Sequence, residues 1–174
     1  MTHEPLPRGA RLAVDVGAVR VGLAASDPDG LVATPVETLA RDTPKAVGGV
    51  TPVPADVARI VDEVAERFAR VVYVGLPRHL SGAEGAASEH ARAYAARLAG
   101  LVAPVEVRMV DERMSTVTAH QALHASGRAG RKHRAVVDQA AAVVILQSAL
   151  DVERGRGVRA GEAVVVDGQG PDAA

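Results

Sequence analysis

Cysteine and tryptophan are absent from this 174-residue sequence, and aromatic residues together make up 2% of it. Without cysteine there can be no disulfide framework and no thiolate metal site, so any metal must be held by oxygen or imidazole donors. With two Tyr and one Phe, the core must be packed from Val, Ala, Leu and Ile. The same scarcity removes the stacking platforms on which many single-strand binders hold bases. A strong charge of one sign is also missing: 20 Lys and Arg offset 21 Asp and Glu, for a net charge of −1. Overall charge therefore does not announce a nucleic-acid partner, which would have to be held by a local basic patch. No apolar run approaches the roughly 20 residues of a membrane span, and no signal-like apolar segment opens the sequence. The expectation is a cytoplasmic protein with no membrane partner.

The residues present suit one globular domain with a substantial core, since 48% are hydrophobic and 24% charged. Residues 1–10, with two prolines, read as a flexible leader. Leu12 to Val16 reads as a strand with Asp15 near its end, and Val21 to Ser26 as its hairpin partner. Asp27-Pro28-Asp29-Gly30 is a turn, and Leu31 to Leu39 a third strand in which Pro35 points to an edge position or an irregularity. A Pro-, Gly- and Thr-rich loop follows. Val57, Ile60, Val61, Val64, Ala65 and Phe68 then recur at helical spacing. Val71 to Gly75 is a continuous apolar run, as in a strand buried on both faces. Ser81 and Glu84 have the spacing of a capping box for a second helix. Pro104 to Val110 is a further strand ending in Asp111-Glu112. A short helix is expected over Thr116 to Ser126 and a last one from about Arg134 to Asp151. Residues 154–174 read as a disordered tail, with Ala163 to Val166 able to add a stray strand. Hairpins followed by helix–strand alternation predict an α/β fold in which a mixed five-stranded sheet is flanked by helices, the later strands lying parallel to the first. This is the chain order of the RNase H-like fold, placed in residues 11–153.

Four acids stand where apolar elements end or begin: Asp15, Asp111, Glu112 and Asp138. Ligand sites in open α/β sheets form outside the carboxyl ends of the strands, so the strand-end acids should share one edge. Carboxylates gathered from distant parts of a chain repel one another without a cation, and Mg²⁺ accepts such a set while keeping several waters. Two such ions can activate a water and stabilise the leaving oxygen of a phosphodiester displacement. Each acid alone has a structural alternative: Asp15 as a turn former, Asp111 and Glu112 as loop starters, Asp138 as a helix-dipole partner. The combination points to metal-dependent chemistry. Arg128, Arg131, Lys132, His133 and Arg134 form a basic stretch that either is a solvated helix entry or holds substrate phosphates. His120 and His124 have helical i, i+4 spacing but lack the intervening Glu of a zincin.

The motifs Leu12-Ala13-Val14-Asp15-Val16-Gly17, Arg20-Val21-Gly22, Ser26-Asp27-Pro28, Val74-Gly75-Leu76-Pro77, Asp111-Glu112-Arg113 and Val137-Asp138-Gln139-Ala140-Ala141 resemble those of the YqgF/RuvX family. The resemblance runs from about Arg11 to Asp151. Members of that family are known as Holliday-junction resolvases and as nucleases that finish the 5′ end of pre-16S rRNA. It implies an RNase H-like fold and metal-dependent hydrolysis, with Mg²⁺ or Mn²⁺ held by Asp15, Glu112 and Asp138 and with Asp111 as a fourth acid at the edge. Residues alone leave open whether Asp111 or Glu112 faces the metal. Arg20, Arg113, Arg131, Lys132 and Arg134 are the candidate substrate contacts. Met114 and Ser115 depart mildly from the family's Leu-Thr, and Ser81-Gly82 stands where Asp-Gly is usual.

The expected function is nucleolytic, in pre-16S rRNA maturation during ribosome biogenesis, with pre-rRNA and ribosomal particles as partners and a monomer or weak homodimer as the working form. A resolvase acting on branched DNA in recombination or repair is the second expectation. Non-catalytic alternatives are a nucleic-acid-binding module, or an actin-like-fold phosphate binder suggested by the Asp15 to Gly22 stretch, which resembles the first phosphate loop of actin-like sugar kinases. No second phosphate loop follows it.

Overall fold

Alternation along the central strands sorts side chains to two faces, and each face is covered by helices. The computed structural model describes residues 4–113 and 131–166, with side chains of the last helix described from residue 139 onward. In chain order the elements are β1 (Arg11–Val16), β2 (Arg20–Ser26), β3 (Ala33–Ala40), α1 (Ala55–Glu66), β4 (Val71–Leu76), α2 (Ala86–Val102), β5 (Glu106–Asp111), α3 (Arg131–Arg156) and β6 (Glu162–Ala163). The sheet order is β3-β2-β1-β4-β5-β6. β1 pairs antiparallel with β2 and parallel with β4, and β4 pairs parallel with β5.

Leu12 and Val14 of β1, Val21 and Leu23 of β2 and Val72 and Val74 of β4 join the core formed with α1 and α2. Ala13, Ala24, Val71 and Tyr73 point the other way, into a second core with Ala142, Ile145, Leu146, Ala149 and Leu150 of α3. Every position of β4 is buried, as its unbroken apolar run requires when both faces are covered. α3 packs across β1, β2, β3 and β4. The alanines on both sides of that contact let the helix approach closely and compensate for the lack of large aromatics.

β3 is the edge strand that Pro35 predicted. Its register shifts between Leu23↔Glu37 and Ala24↔Pro35, leaving Val36 opposite no residue as a bulge. Several sequence expectations are corrected. The sheet has six strands because β6 pairs antiparallel with β5 through Arg108↔Ala163 and Met109↔Glu162, and the Val164 amide donates to the Val107 carbonyl. Part of the segment expected as a disordered tail is thus pinned to the sheet. α3 continues to Arg156, beyond Asp151, because Glu153 is drawn into a buried ion pair with Arg11. The end of the supposed leader is also anchored: Ala10 is buried, and the Gly9 amide donates to the Pro28 carbonyl at 2.8 Å. Ser81 and Glu84 do not box the start of α2, whose N-cap is Gly85. Glu84 is taken by Arg92, and Ser88 donates instead to the Pro77 carbonyl. The helix expected over Thr116 to Ser126, the His120/His124 pair and Arg128 lie outside the described residues. No helix among the described residues is long and apolar enough to cross a membrane.

Candidate functional site at the carboxyl edge of the sheet

Asp15 is the fifth residue of β1. Alternation therefore puts it on the α3 face with Ala13, near the carboxyl end of the strand. Its cross-strand neighbour on β2 is Gly22, which contributes no side chain beside it. Glu112 follows the last residue of β5, and its amide donates to the Leu76 carbonyl at 3.1 Å, extending the β4–β5 ladder by one bond. On that extension Glu112 falls on the same face as Val110, towards α3.

What brings the two carboxyl groups together is Gly75. A Cβ there would lie 2.1 Å from Glu112 Oε1 and 2.7 Å from Ile145 Cδ1, so the glutamate carboxyl occupies the space that any other residue's side chain would fill. Glu112 and Asp15 share a hydrogen bond. Burial, then the Asp15 charge and that hydrogen bond, and lastly Asp111, push the Glu112 carboxyl up to about 8. Two carboxyls so close cannot both be ionised at neutral pH unless a cation joins them, and in its absence they hold one proton between them.

Asp111 answers differently. It belongs to the opposite face of β5, with Val107 and Met109. Hydrogen bonds from Arg113 hold its carboxyl below the usual range, with Arg78 adding a weaker attraction at 4.0 Å. Strand alternation separates the two acids: Glu112 faces Asp15, and Asp111 faces arginines.

Asp138 lies on α3, seven and four residues ahead of Ile145 and Ala142, which contact the Asp15 face of the sheet. Its side chain is outside the described set, as are those of Arg131, Lys132 and Arg134 in the first turn of α3. Among the described residues no three potential ligands form a metal cluster; the described pair is Asp15 and Glu112. Arg20 opens β2 beside the β1–β2 turn, and Arg113 is engaged by Asp111.

Gly75 was missed as a site residue. The available signal was a glycine inside an apolar strand pattern, which marks close approach by another group. Asp27 shows the converse, a recognised motif residue with a structural duty. Its carboxylate accepts the amides of Leu31 and Val32, each at 2.9 Å, and of Asp29 at 3.1 Å. The bond from Val32 is the leading cause that keeps it below the ordinary range.

Gly75→Ala is expected to displace the Glu112 carboxyl. A shift of about 1 Å in a reacting group can cost roughly 100-fold in rate, whereas one added methyl in a packed core costs about 1–3 kcal/mol. Turnover and thermal melting measured on the same preparation check this; unchanged turnover would show that the carboxyl position does not matter.

The fold defines the class. A mixed sheet of this order, with helices on both faces, is RNase H-like, and the chain superposes on the solved structure "T. thermophilus RuvC in complex with Holliday junction substrate" with a TM-score of 0.52 at 16% identity, covering 87% of this chain and 98% of that one. Residues 9–152 match the model of the RuvX family, described as Holliday junction resolvase, and the chain belongs to that family. A relative from Streptomyces coelicolor is 53% identical over 160 residues, covering 91% of this chain and 90% of its own length. One from Streptomyces avermitilis is 51% identical over 161 residues, covering 91% and 96%. Both carry the name "Putative pre-16S rRNA nuclease".

Proposed function

We propose that this protein is a cytoplasmic, metal-dependent nuclease that hydrolyses phosphodiester bonds in the 5′-end maturation of pre-16S rRNA, with Asp15, Glu112 and Asp138 as ligands of Mg²⁺ or Mn²⁺. The observation that carries the reading is the Asp15–Glu112 pair: the glycine at residue 75 in β4 admits a second carboxyl beside the first. That arrangement costs stability unless a cation occupies it, and an all-oxygen donor set suits a hard divalent ion. Asp138 is the proposed third ligand; on α3 it precedes Ala142 and Ile145 by four and seven residues, the spacing of one helix face. When bound, the ion supplies charge neutralisation at the phosphate and an activated water. The chain's own contribution is to hold Asp15 at the end of β1 and Glu112 at the end of β5, across Gly75 of the intervening β4, to release the proton they share as the ion enters, and to keep Asp111 occupied by Arg113. Arg20, Arg113, Arg131, Lys132 and Arg134 are proposed to meet substrate phosphates, and pre-ribosomal particles are the proposed partners.

The family's description and the relatives' names point to different substrates, so the test uses both. A precursor fragment spanning the 5′ end of 16S rRNA and a synthetic four-way DNA junction are incubated at equal enzyme and Mg²⁺. Cleavage of the rRNA fragment is expected, with loss in EDTA and in Asp138→Asn. A protein that cuts only the junction is a resolvase; one that cuts at full rate in EDTA is not a metal nuclease.

A further inference from the structure

We propose that the cleft between the β1–β2 turn, the loop at 41–54 and α2 binds the phosphodiester backbone of the substrate strand, on the far side of the sheet edge from the carboxylate pair. The proposal rests on the nuclease reading for its substrate class, and on independent geometry for the site.

Two adjoining cavities, of about 330 and 310 Å³, share Arg41 and His90. The smaller is bounded by Val16, Gly17 and Ala18, so it begins directly after Asp15. The larger continues along α2 to Arg97. Val16 belongs with the α1 and α2 core, whereas Asp15 lies on the α3 face. A strand crossing the carboxyl edge at Asp15 would therefore enter this cleft on the other side.

Arg41 is fixed at the mouth. Its amide donates to the Val19 carbonyl at 2.8 Å and its Nη1 to the Gly17 carbonyl at 2.9 Å. Its guanidinium lies 5.2 Å from the centroid of the Tyr94 ring, and its Nε is buried without a hydrogen-bond acceptor among the described residues. The two acids of the cleft are held by the fold, and one of them, Asp56, also pairs with Arg41. Asp56 is buried and accepts the Tyr94 hydroxyl at 2.9 Å and the Asp42 amide at 3.2 Å, with Arg41 Nε 3.8 Å away. Asp42 accepts the Ala55 amide at 2.7 Å. Arg97, exposed on α2, donates to the Pro52 carbonyl at 3.1 Å and has no carboxylate partner among the described residues. His90, also exposed, lines both cavities.

Arginine is suited to a phosphodiester because its planar fork meets two oxygens at once, and one held on a helix loses little freedom on binding. Base stacking offers little alternative here. The single Phe, Phe68, is exposed at the α1–β4 turn on the opposite sheet edge, and Tyr94 is buried under Arg41.

The test measures binding of fluorescently labelled single-stranded RNA, and of DNA of the same sequence, by anisotropy across a salt series in EDTA, so that no cleavage is needed. Arg97→Gln is expected to weaken binding of both and to reduce the log–log salt slope by about 0.7, the increment for one phosphate contact on a single strand. Arg41→Gln should add a similar change, roughly 1.4 for the pair. His90→Ala should weaken binding at each salt concentration. Arg156→Ala, an exposed arginine at the far end of α3, is the control and should leave the slope unchanged. Because Arg41 also braces the β1–β2 turn, Arg97→Gln decides the matter if the Arg41 variant melts early. A wild-type slope in Arg97→Gln, or an equal loss in Arg156→Ala, overturns the cleft while leaving cleavage intact. A wild-type protein that binds through the cleft and never cleaves would overturn the nuclease reading alone.

Discussion

Glu112→Gln is expected to lose nearly all hydrolysis while gaining stability in EDTA at pH 8. A metal site supplies several kcal/mol of transition-state charge stabilisation, and removing a ligand should cost about a thousandfold in rate. The stability effect follows from linkage. The Glu112 carboxyl is ordinarily near 4.5 and is raised to about 8 in the folded protein. Between those values the folded state binds more protons at this carboxyl than the unfolded one, so its contribution to metal-free stability is greatest below about pH 4.5 and is lost as pH rises through 8. Glutamine carries no proton to lose, so this contribution to the slope should vanish in the variant. Added Mg²⁺ should raise the melting temperature of the wild type more than that of the variant, since a ligand that binds only the folded state stabilises it more the tighter it binds. Melting curves in EDTA and in Mg²⁺ across this range check each part. A variant that melts lower than wild type at pH 8 in EDTA, or that cleaves normally, would remove Glu112 from the site.

Glu153→Ala should be among the most damaging changes to stability, with no direct effect on chemistry. The carboxylate is 5% exposed and receives Arg11 at 3.0 Å and Arg159 at 2.8 Å, together with the Tyr73 hydroxyl. Arg11 also donates to the Gly9 and Pro28 carbonyls. One side chain of α3 therefore ties the start of β1, the middle of β4 and the segment after the helix. Burial first, and then the hydrogen bond to the neighbouring carboxylate, raise the Tyr73 phenol, which donates to Glu153. Removing Glu153 leaves two arginines buried without a counter-charge, a loss of about 3–5 kcal/mol. Tyr73→Phe keeps both ion pairs and should cost less, about 1.5–3 kcal/mol for a hydrogen bond to a charged group. Urea denaturation of the three proteins should rank them in that order. A Glu153→Ala protein as stable as wild type would mean that the cluster is compensated by water.

Much of the architecture was legible because it rests on local periodicity. The alternation in β1 and β2, the turn at Asp27 to Gly30, the unbroken apolar run of β4 and the 3.6-residue spacing in α1 each depend on near neighbours. The acids at the ends of β1 and β5 could be seen for the same reason, since a charged residue closing an apolar strand is a local feature. The capping-box spacing of Ser81 and Glu84 misled because a competing partner, Arg92, lies eight residues beyond Glu84 and reaches it only once α2 is formed. β6 showed only as a stray strand open to Ala163 to Val166, because a two-residue strand has no period of its own and exists through its pairing with β5.

The sequence by itself determined the order of strands and helices, the parallel centre of the sheet and the edge at which the acids gather. These follow from hydrophobic period and connection length, which are properties of short stretches of chain. Only the tertiary structure decided that Glu112 and not Asp111 meets Asp15, that Gly75 makes the room, and that Glu153 rather than a surface cap holds the end of α3. Each of those depends on groups tens of residues apart in sequence being brought within hydrogen-bond distance, where burial and mutual charge, absent from any local pattern, set which side chain is ionised and what it can hold.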